Sequence, residues 1–263
     1  MHVTRIIALA ALLGLLGAIA SPALAQDDAI GIVADPCTSE KTPEQLPAGQ
    51  WNAYLFAQDF GQLCHYRAQN AELIKAGNKP RVVFMGDSIT EFWGQQDAAF
   101  FTHGKLDRGI SGQTTAQMLL RFRQDVIDLH PQAVHIMAGT NDVAGNTGPS
   151  TLEQVEGNIA SMAELARAHG IRVILASVPP AGHFPWRPEV QPVPIIRALN
   201  RWMQDYASRN GFTYADYYRA TATPEGAMKP GLADDGVHPT RKGYALMEPL
   251  AETAIQQALG PAR

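Results

Sequence analysis

The chain reads as an α/β protein: a parallel β-sheet with helices packed on both faces. Five short apolar runs, at 81–85, about 105–108, 132–137, 171–176 and 212–215, alternate with stretches whose apolar residues recur at helical spacing. The connections are short, as expected when helices cross over between parallel strands. Residues 26–263, left once an N-terminal leader is set aside, suit one α/β domain, with two small ones as the alternative, and can bury a sizeable core without staples.

The elements follow in order. Arg5 stands ahead of an apolar stretch from Ile6 to Ala20, and Ser21-Pro22-Ala23-Leu24-Ala25 closes it. A basic start, an apolar middle and a small-x-small end predict a secretory signal peptide over 1–25, cut before Gln26. The alternative is a membrane anchor, for which the stretch is short, and no cysteine follows the cut to carry a lipid. The expectation is an exported protein, periplasmic or secreted, with no stable membrane anchor. Residues 26–50 contain Pro36, Pro43 and Pro47 and read as an N-terminal arm without a firm helix. Trp51, Leu55, Phe56, Phe60, Leu63 and Leu73 predict one long helix from 51 to about 76, ended by Gly77-Asn78-Lys79-Pro80. Further helices are expected at 114–129, 151–168, 190–209 and 239–258, making 51–263 a single domain. The two cysteines, Cys37 and Cys64, would meet oxidising conditions after export. They are expected to form a disulfide from the arm to the first helix, with two unpaired thiols as the alternative. The net charge of −4 comes from mixed signs with no basic block, which argues against a nucleic acid partner.

In open parallel sheets, ligands bind beyond the carboxyl ends of the strands. Ser88 follows the first strand, Gly109 the second and Asn141 the third. Much later, Asp235-Gly236-Val237-His238 places a carboxylate and an imidazole three residues apart. A serine hydroxyl is a weak nucleophile that needs a base, and the base needs an orienting partner. His238 is the candidate base and Asp235 its partner. Attack on an ester carbonyl creates a charged oxygen, for which the backbone N–H groups of Ser88 and Gly109 and the Asn141 amide are candidate donors.

Taken singly, each residue has a bland reading. Ser88 or Asn141 can cap a helix, Gly109 can serve a turn, Asp235 can sit with Asp234 in a solvated loop, and His238 can be a surface histidine before Pro239. Four blocks in this order at successive strand ends are hard to explain that way. His130 and His135 flank or lie within the third strand and read as packed residues. His103 and His183 fall in loops without a carboxylate three residues earlier. There is no His-Glu-x-x-His helix, no glycine-rich phosphate loop with lysine and no Gly-x-Ser-x-Gly elbow.

The segments Gly86-Asp87-Ser88-Ile89, Arg108-Gly109-Ile110-Ser111-Gly112, Gly139-Thr140-Asn141-Asp142 and Asp235-Gly236-Val237-His238 resemble the blocks of the SGNH hydrolases, or GDSL esterase/lipase family. Residues 109–115 are most similar to its platelet-activating-factor acetylhydrolase-like branch. The resemblance implies a flavodoxin-like three-layer α/β/α sandwich with a five-stranded parallel sheet, no metal and no organic cofactor. It implies Ser88 as nucleophile, Gly109 and Asn141 in the oxyanion hole, and Asp235 and His238 completing a triad. The expected activity is hydrolysis of short acyl esters, acetyl groups on a carbohydrate in particular, so the partner is a small-molecule or glycan acyl ester. An acyltransferase with the same acyl-enzyme, a longer-chain lipase or thioesterase, and a non-catalytic binder remain alternatives. Glu91-Phe92-Trp93, Phe100-Phe101, Asn141-Asp142-Val143 and 179–192 with His183, Phe184 and Trp186 are the candidate pocket walls, their aromatic side chains either meeting substrate or covering the core.

Overall fold

The structure, a computed structural model, describes Asp35, Cys37 and residues 51–260. The signal peptide expected at 1–25 lies outside the described residues, as does the arm at 26–50 apart from Asp35 and Cys37. The chain divides into two units, Met1–Ser39 and Glu40–Arg263. Neither cysteine is a free thiol; Cys37 and Cys64 are both disulfide-bonded.

Within the second unit, β1 (Val82–Gly86), β2 (Lys105–Gly109), β3 (Ala133–Met137), β4 (Arg172–Ala176) and β5 (Thr213–Ala215) form one parallel sheet in the order β2-β1-β3-β4-β5. This is the flavodoxin-like order, and its direction of winding reverses between β1 and β3, where ligand crevices form. Strand side chains alternate between two apolar layers. Val83, Met85, Val134, Ile136, Val173 and Leu175 face one layer with residues of α4 (Thr115–Asp125), α6 (Leu152–Ala168) and α7 (Pro192–Asn210). Val82, Phe84, Ala133, Met137, Ile174 and Ala176 face the other with residues of α3 (Ser88–Gln96) and α9 (Arg241–Leu259). Burial on both sides is why the central strands β1, β3 and β4 are mostly apolar rather than alternating.

The single long helix expected over 51–76 is two helices, α1 (Trp51–Gln58) and α2 (Arg67–Lys75). The Asp59 carboxylate breaks it by accepting from the N–H groups of Leu63 at 2.8 Å and Cys64 at 2.9 Å. Gln62 turns the chain with a φ of 53°. Side chain–backbone bonds of this kind compete with the helical ladder. Phe56, Phe60 and Leu63 remain substantially exposed, so their spacing marks no core stripe. Three helices go beyond the sequence expectation: α3, the short α5 (Thr140–Ala144) and α8 (Tyr217–Thr221). Among the described residues, no helix is long and apolar enough to cross a membrane.

Candidate active site

β1 and β2 end side by side, with Gly86 paired to Gly109, and α3 starts directly against both. A Cβ on Gly86 would stand 2.0 Å from Thr90 Oγ1, and one on Gly109 would stand 2.2 Å from the Glu91 nitrogen. Glycine at both positions is what lets the helix begin so close to the sheet. Asp87 caps α3, its Oδ1 accepting from the Ile89 N–H at 2.9 Å. Ser88 is therefore the first residue of the helix and not its cap. Its side chain is mostly enclosed, at 7% exposure, and its Oγ lies 2.9 Å from His238 Nε2.

Asp235 holds His238 twice. Its Oδ1 accepts from the backbone N–H groups of Val237 at 2.9 Å and His238 at 2.8 Å, while its Oδ2 lies 2.6 Å from His238 Nδ1. Burial pushes the Asp235 carboxyl up. The hydrogen bonds from the His238 ring and the two backbone N–H groups outweigh it and leave the pKa below the ordinary carboxylate value. A carboxylate only accepts, so in the neutral ring the proton sits on Nδ1 and the Nε2 lone pair faces Ser88. Phe92 and Trp186 flank the imidazole, with ring centroids 5.1 and 6.1 Å from it.

Asn141 lies in the first turn of α5, 4% exposed. Its Nδ2 donates to the Gln113 carbonyl at 3.0 Å and to Asp87 Oδ2 at 3.3 Å. The structure thus brings Asn141 beside Asp87, the neighbour of Ser88. Gly109 is different. Its N–H donates to Asp107 Oδ1 at 2.7 Å and its carbonyl accepts from the Tyr66 hydroxyl. The N–H that the sequence reading offered to an oxyanion is already taken, and Gly109 serves strand–helix packing. Three residues on, Gly112 has a φ of +79°, open space where a Cβ would stand, and an N–H without a partner among the described residues. Its loop is pinned to α3 by Ser111, whose backbone N–H donates to Glu91 Oε2 at 2.7 Å. Sequence reasoning passed over Gly112 although it stood in the same quoted block.

Of the candidate pocket walls, Trp93, Phe100 and Phe184 are core residues. Trp93 stacks on Phe100 at 4.7 Å and on Tyr244 at 5.3 Å. Asp142 accepts from the Thr115 N–H and hydroxyl instead of lining a pocket. Phe92 and Trp186 are left beside the imidazole, and Trp186 is 40% exposed. His135 is a packed strand residue, as expected, with Nε2 2.8 Å from the Tyr217 hydroxyl.

Burial raises the carboxyl of Asp87 to about 7 and that of Asp107 to about 7, from an ordinary 3.8, against the opposing bonds from the Ile89 and Gly109 N–H groups. The folded chain keeps these protons where the unfolded chain releases them, so their stabilising contribution is lost as pH rises from 3.8 through about 7. Buried His135 acts oppositely: burial lowers it from 6.5 to about 3, and its contribution is lost as pH falls through that range. Two carboxyls outweigh one imidazole. The melting temperature should therefore fall from about pH 5 to about pH 8. Asp107→Asn keeps an acceptor for Gly109 and should make the fall shallower; an equally steep fall in differential scanning calorimetry would place the titration elsewhere.

The family model of the GDSL-like lipase/acylhydrolases matches residues 84–246, a span that holds Ser88, Asn141, Asp235 and His238. A crystal structure of a GDSL-like lipase from Bacteroides thetaiotaomicron VPI-5482 is 48% identical, with a TM-score of 0.72, covering 76% of this chain and 100% of that one. A protein of Bacteroides fragilis NCTC 9343 is 45% identical at the same TM-score of 0.72, covering 76% and 98% of the two chains. The lipoprotein YqeF of Bacillus subtilis (strain 168) is 40% identical over 127 residues, which span 47% of this chain and 44% of that protein. With a strand order and strand-end chemistry that agree with the matched span, the chain belongs to the GDSL-like lipase/acylhydrolase family of ester-hydrolysing enzymes.

Proposed function

We propose that the protein hydrolyses short-chain carboxylic esters through a Ser88–His238–Asp235 triad and an acyl-enzyme. The observation that carries this reading is the continuous pair of contacts, 2.9 Å from Ser88 Oγ to His238 Nε2 and 2.6 Å from His238 Nδ1 to Asp235 Oδ2. His238 takes the hydroxyl proton as Oγ attacks the ester carbonyl, and Asp235 stabilises the imidazolium that forms. The imidazolium then returns the proton to the leaving alcohol, and the same base activates water to release the acid.

The oxyanion donors in this reading are the Ser88 N–H, the Gly112 N–H and the Asn141 amide. The first two have no partner to displace among the described residues. Asn141 has one short and one long contact, and the oxyanion displaces the longer one, to Asp87. Asn141→Ala should lower kcat on the order of 100-fold with the fold retained. An unchanged kcat would remove Asn141 from the site.

The exposed face of Trp186 beside His238 supports a sugar or similarly flat alcohol as the group that carries the acyl chain. Acetylated carbohydrates are the proposed substrate class. Export is proposed with it: an oxidised Cys37 and Cys64 suits a compartment outside the reducing cytosol, and the relative YqeF is a lipoprotein. A panel of p-nitrophenyl esters from acetyl to long-chain, run beside acetylated sugars, tests the assignment. Acetyl esters should turn over fastest. A clear preference for long chains would reject the short-acyl reading while leaving the triad in place.

A further inference from the structure

A chain of hydrogen bonds joins the loop between β4 and α7 to Asn141, and each link in it has a forced direction. The Trp186 indole N–H can only donate, and it donates to Asn146 Oδ1 at 3.1 Å. With its oxygen turned to the indole, Asn146 presents its amide nitrogen to Asn141, donating to Asn141 Oδ1 at 2.6 Å. Asn141 must then carry its own amide nitrogen on the opposite side, where the Gln113 carbonyl, an acceptor only, receives it at 3.0 Å. A donor-only group at one end and an acceptor-only group at the other leave one orientation for both amides.

The same loop holds the end of α5 at a second point. Arg187 Nη1 donates to the carbonyl of Gly145, the residue that terminates α5 in the left-handed conformation. The indole is also the exposed aromatic face beside His238. One side chain therefore meets incoming substrate and governs, two bonds away, which way the Asn141 amide points.

We infer that Trp186 is a positioning residue that acts through Asn146 to aim the Asn141 amide at the developing oxyanion. The inference rests on the reading of Asn141 as an oxyanion donor. A flipped Asn141 would place its carbonyl oxygen where the amide hydrogens are needed, and a negatively charged intermediate would meet an acceptor. The indole sets that orientation before substrate arrives, so the amide need not turn during the reaction and only its long contact to Asp87 gives way.

The test is a set of four variants assayed on one acetyl ester for kcat and KM, with melting temperatures as the fold control. Trp186→Phe keeps an aromatic ring and removes the donor; kcat should fall about tenfold with KM within about twofold. Asn146→Ala should fall similarly. Asn146→Asp should fall further than Asn146→Ala, because the new carboxylate repels Asn141 Oδ1 and drives the amide to flip. Trp186→Phe combined with Asn146→Ala should be no slower than Asn146→Ala alone, as expected when two residues act through one path. Asn141→Ala, run alongside, separates the two claims. If it loses kcat while Trp186→Phe keeps wild-type kcat, or raises KM alone, the relay is overturned and the oxyanion role stands. If Asn141→Ala itself keeps kcat, the oxyanion role falls and the relay falls with it.

Discussion

Ser88→Ala should cut ester turnover on the order of 10,000-fold or more and leave the fold intact. The Ser88 hydroxyl has His238 Nε2 as its hydrogen-bond partner and contributes nothing to the helix end, because Asp87 supplies the cap. Alanine is well suited to the first turn of a helix, and the position is already enclosed. The variant therefore separates chemistry from structure better than most active-site changes do. Rates on p-nitrophenyl acetate, with far-ultraviolet circular dichroism and a melting curve on the same samples, measure both sides. Labelling by a fluorophosphonate should vanish in parallel. A folded variant that keeps more than about one hundredth of the wild-type rate would place the nucleophile elsewhere.

The sheet was legible in the sequence because the central strands are covered on both faces, which makes them predominantly apolar, as in Val82-Val83-Phe84-Met85. Ser88 and His238 meet although 150 residues separate them, and the sequence made that meeting readable through the order of the strand ends. Four things were not readable, each for a physical reason. The break between α1 and α2 depends on Asp59 choosing backbone N–H groups over solvent, a local competition that apolar periodicity does not register. The difference between Gly109 and Gly112 depends on which N–H meets the Asp107 carboxylate, and both glycines stand in one motif. The pairing of Trp186 with Asn146 joins two loops 40 residues apart, and neither residue carries a pattern pointing to the other. Trp93 and Phe100 looked like pocket walls because aromatic residues near a motif look alike whether they face solvent or stack in the core.

Arg121→Met should have the largest effect on stability, because the guanidinium is fully buried and every arm of it is used. Its Nη1 pairs with Asp125 Oδ2 at 3.0 Å, its Nε donates to Gln113 Oε1 at 2.5 Å, and its Nη2 donates to the Gly86 carbonyl at 2.9 Å. Methionine fills much of the volume but leaves Asp125, also fully enclosed, as a buried carboxylate without its cation. Asn70 still donates to Asp125 at 2.6 Å, which softens the loss without supplying charge. Breaking a buried pair from one side costs about 3–5 kcal/mol, a large part of the stability of a typical domain. The melting temperature should drop by roughly 10 °C or more. Replacing both partners, as in Arg121→Met with Asp125→Leu, should recover most of that stability, since no charge is then stranded. Turnover should not recover with it. Arg121 joins the Gly86 carbonyl, one residue before Asp87 and two before Ser88, to Gln113, whose backbone carbonyl holds the Asn141 amide. A refolded double variant lacks that brace between the turn before Ser88 and the Asn141 amide, so chemical denaturation and ester turnover should diverge. A double variant restored in both would show that the guanidinium serves stability alone.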